Sequence, residues 1–115
     1  MSAGASDGSR HWRNQRFTSV ALLPLAGWFV AVLCTLPDLS HGTMLRWLAQ
    51  PLQALLAALF GVTALWHSAQ GWRVVLEDYV GGRLLAPALL TSRLLHLGAA
   101  AILLTALFLI AAGRA

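Results

Sequence analysis

A histidine, a carboxylic acid and a phenol share one segment of apolar sequence: His67, Asp78 and Tyr79, in the pattern H-x3-G-x6-D-Y with Gly71 between them. At about 100° per residue on a helix, His67, Gly71, Val74 and Asp78 fall within about 60° of one another and form one stripe. An imidazole among apolar residues has two uses. It can hydrogen-bond a neighbouring helix, or its neutral ring nitrogen can serve as an axial ligand to haem iron. Gly71 removes a side chain one turn away, which suits the close approach of either a second helix or a flat macrocycle. A phenol such as Tyr79 can donate to a quinone carbonyl, with the neighbouring Asp78 orienting donors or relaying protons. The alternative for that pair is an interfacial aromatic beside a helix-end acid.

The elements that hold these residues are set by composition. Of the 115 residues 58% are apolar or aromatic and 10% are charged, with a mean hydropathy of +0.70. A soluble domain of this length covers itself with about 25% charged residues, so the solvent here is lipid. All eight basic residues are arginine, too few and too scattered to track phosphates, which excludes nucleic acid as a partner. Cys34 is the single cysteine, so no internal disulfide or thiolate cluster is possible, and its place in an apolar stretch suggests packing.

The expected fold is all-α, with three transmembrane helices. Residues 17–36 carry no charge and span about 30 Å as a helix, enough to cross the hydrocarbon core. Arg10, Arg13 and Arg16 read as anchors of that span and not as the n-region of a cleaved signal. The second helix opens at Pro51, suited to a first helical position, and runs to Tyr79, with its surplus turns standing in the headgroups beside Arg73, Glu77 and Asp78. Gly81 and Gly82 end it, and a third span covers 94–112. Residues 1–16 form an N-terminal segment whose first nine are polar and expected to lack order; 37–50 and 80–93 are the loops, the latter amphipathic. Counting from Glu77, His67 lies about 15 Å deep, near mid-bilayer.

Six of the arginines (Arg10, Arg13, Arg16, Arg73, Arg83, Arg93) fall on one side, and Arg46 and Arg114 on the other. The positive-inside rule then places the N-terminus and the 80–93 loop in the cytoplasm and the 37–50 loop and C-terminus in the periplasm of a bacterial inner membrane.

The segment His67–Val80 resembles the signature of the small hydrophobic membrane-anchor subunit of bacterial succinate dehydrogenase. Residues 15–25, with Trp28, Phe29 and Val30, look like the first helix of its alphaproteobacterial members. The resemblance implies a component of respiratory complex II, acting in electron transport and the tricarboxylic acid cycle. It would pair with a second membrane anchor of cytochrome b type, and fix an iron–sulfur subunit and a flavoprotein subunit to the cytoplasmic face. It implies His67 as the axial ligand of a haem b shared with that second anchor, and Tyr79 with Asp78 at a ubiquinone site. It also implies Arg16 near the haem propionates, with His11 a second candidate there.

The chain has no nucleophile–base–acid set, phosphate loop or carboxylate pair of its own, so it is not expected to catalyse alone. His96 has no counterpart in the motif and reads as an interface or hydrogen-bonding residue, and His41 as solvated. The alternative to an electron-transfer subunit is a haem-free structural anchor in which His67 bonds another helix.

Overall fold

The structure, a computed structural model, describes residues 2–115, with side chains from Gly8 onward. It is all-α: α1 spans Ser2–Thr35, α2 His41–Leu48, α3 Pro51–Tyr79 and α4 Leu85–Ala111, with a 3₁₀ turn at Gly82–Leu84. Three of these helices are long and apolar enough to cross a membrane: α1 from Gly8, α3, and α4 with its preceding turn.

Three local features differ from the sequence reading. The polar N-terminus continues α1 back to Ser2. α4 begins at Leu85, well before the charge-free stretch. Pro87 is no obstacle there because it falls in the first turn, where a missing N–H leaves no bond unmade. Thr91 turns its hydroxyl back on the Pro87 carbonyl (2.8 Å). Between the first two long helices the loop folds into α2, capped by Ser40, whose hydroxyl accepts from the Thr43 N–H at 3.3 Å. Cys34, assigned to packing from its apolar surroundings, is exposed on α1.

α3 is the centre of the fold. α1 packs along one side of it and α4 along the other, and the backbones of α1 and α4 do not approach each other among the described residues. The three long helices therefore form a row instead of a closed bundle. Each of the three spans is largely uncovered within the chain, with Leu23, Leu95 and Ile102 each more than two-thirds exposed. Such surface suits lipid or another membrane helix. At the end of the row away from most arginines, Trp47 of α2 is buried against Trp28 (ring centroids 5.7 Å) and Phe29 (6.3 Å), and Phe29 stacks on Phe60 (5.3 Å).

Contacts between the antiparallel helices fix their register. Thr18 meets His67 and Phe29 meets Phe60 across α1 and α3; Ser68 meets His96 and Gly61 faces Leu103 across α3 and α4. Arg16 is therefore level with about residue 70 of α3, and Arg93 with about residue 71. At the other end Arg114 comes level with the start of α3, beside the loop that carries Asp38 and Arg46. The uncharged slab between these two rings of charge is about 20 residues, or about 30 Å, deep, which matches a bilayer's hydrocarbon core.

Gly61 is the tightest approach: a Cβ there would collide with the Leu103 side chain. Gly61→Val is expected to destabilise the chain by about 1–3 kcal/mol in detergent unfolding, and Leu103→Ala to relieve most of that cost in the double variant.

In the 37–50 loop the Asp38 carboxyl is held down at about 2 by hydrogen bonds from the Ser40 hydroxyl and backbone N–H. A folded pKa below the usual 3.8 means that its contribution is complete above 3.8 and is lost as pH falls through about 2. A carbon-13 carboxyl titration of the chain in detergent micelles should place the Asp38 midpoint near 2.

Candidate functional site

The packing of α1 on α3 is organised round one hydroxyl. Thr18 is fully buried, and its Oγ1 lies 3.0 Å from His67 Nδ1, 3.2 Å from Gln70 Oε1 and 3.0 Å from each of the Asn14 and Gln15 carbonyl oxygens. Gln70 is itself buried. Asn14 and Gln15 are the i−4 and i−3 residues of α1, the usual acceptors for a threonine inside a helix.

Three of those four neighbours are oxygen acceptors, and a hydroxyl has one proton to give. The proton on His67 Nδ1 would match a lone pair of Oγ1, and the Gln70 amide, turned over, could supply a donor in its place. In either case Nδ1 is engaged by Thr18, and Nε2 has no hydrogen-bond partner among the described residues.

His96 provides the contrast. Its Nδ1 lies 2.7 Å from the Ser92 carbonyl, which can only accept, so Nδ1 carries the proton; Nε2 lies 3.1 Å from Ser68 Oγ and takes the serine proton. Both nitrogens of His96 are thus occupied within the chain, consistent with a hydrogen-bonding residue between α3 and α4.

His67 is half-buried, and one turn along its stripe nothing lies within 4 Å of where a Cβ on Gly71 would stand. An imidazole nitrogen with no partner among the described residues, beside an open glycine face, suits the close approach of a second helix or of a flat macrocycle. The Thr18 hydroxyl on the other nitrogen is the kind of partner that orients such a ring.

The helix register sets the depth of this site. Arg93 is level with about residue 71, four residues beyond His67, so His67 sits about 6 Å along α3 from that arginine level. Counting from Glu77 overstated the depth because the last turns of α3 project beyond the slab. Those turns carry a surface ion pair, Arg73 Nε to Glu77 Oε1 at 2.8 Å.

Asp78 and Tyr79 stand on that projection, about 12 Å beyond the Arg93 level. Both are exposed, Tyr79 to 85%, and the described residues bring no partner to either side chain. Asp78 shares the stripe of His67, whereas Tyr79 points about 120° away from it. On α1, His11 lies two turns from Thr18 on the same face and is half-buried. Arg16 is at the right level but about 160° round α1 from Thr18, with its guanidinium 4.7 Å over the Trp12 ring. The chain therefore brings Thr18, His67 and Gln70 together, but not Arg16, Asp78 or Tyr79.

Thr18 and Gln70 were not singled out from the sequence. Gln70 could have been, since it lies three residues from His67 on a neighbouring face of an apolar helix, where an amide needs a partner.

The sequence profile of the succinate dehydrogenase/fumarate reductase transmembrane subunit matches residues 2–111. The chain belongs to that family. It is similar to the succinate dehydrogenase hydrophobic membrane anchor subunit of Rickettsia conorii, 31% identical over 80 residues that make up 69% of this chain and 64% of the relative. The subunit of the same name from Paracoccus denitrificans is 31% identical over 78 residues, 68% of this chain and 60% of its own. That of Rickettsia typhi is 28% identical over 79 residues, 69% and 63%. The aligned part of the chain thus spans about three-fifths of the length of these curated relatives. No solved structure matches it. Family membership agrees with the three long apolar helices: this is a multi-pass membrane protein of the anchor-subunit type.

The buried hydroxyl gives a direct test of the site's packing. Thr18→Val should lower thermal stability in detergent by about 0.5–2 kcal/mol by leaving His67 Nδ1 and Gln70 without their shared partner, and Thr18→Ser should restore most of it.

Proposed function

We propose that this chain is the membrane-anchor subunit of a succinate:quinone oxidoreductase. In this reading His67 Nε2 is one axial ligand of a haem b shared with a second anchor subunit, and the electrons of succinate oxidation reach membrane ubiquinone. The observation that carries this is the 3.0 Å contact of His67 Nδ1 with the buried Thr18 hydroxyl, which leaves Nε2 with no partner among the described residues and the Gly71 face beside it open. An intramembrane imidazole calls for a partner, and haem iron supplied with a second subunit is one that fits.

Bound there, haem iron supplies one-electron transfer between the soluble redox centres and the quinone. The residues of this chain do the holding. Thr18 would orient the imidazole through Nδ1, Gln70 would share that hydroxyl, and the open face at Gly71 would leave room for the group. His11, on the Thr18 face, is the better placed of the two propionate candidates; Arg16 would have to leave Trp12 and reach round α1.

Asp78 and Tyr79 project where electrons from a cytoplasmic dehydrogenase would arrive, with the phenol free to donate to a quinone oxygen and the acid to orient it or relay a proton. Their exposure in the single chain fits a site completed by iron–sulfur, flavoprotein and second-anchor subunits. The open row of helices supports the same partnership, because the Gly71 face beside His67 has nothing packed against it among the described residues.

The experiment is a dithionite-reduced minus oxidised spectrum of the membrane complex that copurifies with the chain, repeated with succinate as reductant. A b-type α band that succinate partly reduces, lost in His67→Ala with the subunits still assembled, is the expected result. An unchanged band in His67→Ala rejects the ligand assignment, and no band beside intact flavoprotein and iron–sulfur subunits favours a haem-free anchor.

A further inference from the structure

On the arginine-rich half of the slab a cleft of about 380 Å³ opens between α3 and α4, separate from the Thr18–His67 contact. Its volume falls within the ~300–1,000 Å³ common for small-ligand sites. Its lining changes character with depth. Toward the slab interior it is made by Val62, Leu65, Leu97 and Ala100, wholly apolar; at the slab edge by Arg73, Arg93 and Ser92, with Trp66 and His96 between. From Val62 to Arg73 is about 16 Å along α3, comparable with the upper part of an acyl chain.

The charge at the mouth is unbalanced. Arg73 is paired with Glu77, but Arg93 has no ion-pair partner among the described residues. The imidazole of His96 is already committed to Ser92 and Ser68, so it does not supply an anion. A guanidinium fork at headgroup depth matches a phosphate in geometry as well as charge. A neutral quinone would leave that charge unmatched, and a free phosphate would leave the apolar floor uncovered.

We infer that the α3–α4 cleft is a binding site for one anionic glycerophospholipid, its phosphodiester held by Arg93 and Arg73 and one acyl chain lying over Val62, Leu65, Leu97 and Ala100. The site holds α3 and α4 together at the edge where the helices leave the membrane. This differs from general attraction of arginines to an acidic leaflet, because it needs the cleft as well as the charge.

The test uses the full chain in neutral detergent micelles, titrated with brominated phosphatidylglycerol or brominated phosphatidylcholine while tryptophan fluorescence is read. Phosphatidylglycerol should quench at about tenfold lower mole fraction, through a component that disappears in Trp66→Phe. Arg93→Gln should bring the two lipids to within about twofold of each other. Ala100→Phe, which fills the floor and keeps both arginines, should also remove the Trp66 component. Equal quenching by both lipids in the unmodified chain overturns the proposal and needs no variant to fold. A preference that survives Arg93→Gln or Ala100→Phe overturns it too. Displacement of phosphatidylglycerol by millimolar inorganic phosphate alone would show an anion site without the acyl-chain groove, and so overturn the lipid assignment.

Discussion

One buried hydroxyl organises the half of this structure that holds His67. Thr18 is fully enclosed and surrounded by three oxygens and an imidazole nitrogen, so one hydroxyl is the shared partner of two polar side chains of α3, His67 and Gln70. In low dielectric such a partner matters, because a buried polar group left unmatched costs more than a hydrogen bond gains. The contact therefore does more than join α1 to α3. It engages His67 Nδ1 and so orients the ring, which makes the helix pairing and the presentation of Nε2 one interaction.

The same contact carries the vertical scale of the molecule. With Thr18 set against His67 and Ser68 against His96, the arginines of three different helices come to one level, and the charges of the opposite end come to another about 30 Å away. Neither ring of charge is visible as a ring in the sequence, where its members are tens of residues apart. The consequence is that His67 lies close to the edge from which Asp78 and Tyr79 project. The distance between the proposed haem ligand and the proposed quinone pair is then set by the rise of a single rigid helix, with no loop intervening.

How much was legible in the sequence follows from which residues carry their own signal. The three long helices announce themselves through apolar length, and the stripe from His67 to Asp78 through helical arithmetic, because both depend on local spacing alone. Ser40 as a cap and Pro87 in a first turn were equally local but lay in segments read as loops, where polar residues and proline masked the helix. The depth of His67 was misjudged because it depends on register between helices, which no single segment encodes. Thr18 was passed over for a related reason: threonine is common in apolar spans, and only the facing histidine and glutamine make it more than a tolerated polar residue.

The two intramembrane histidines show where the chain is complete and where it is not. His96 gives one nitrogen to its own helix and the other to Ser68, so nothing further is needed to satisfy it. His67 has its Nδ1 matched by Thr18 but no serine opposite its second nitrogen, and the Gly71 face one turn along is open. Replacing that open face by a fourth packed helix of the same chain would have closed the bundle and ended the need for a partner. The fold instead keeps the α1 and α4 backbones apart on α3, so the surface beside Gly71 stays open. The buried Gln53 Oε1 also has no partner among the described residues, so polar groups are fully matched at His96 and incompletely matched at Gln53 and at His67 Nε2.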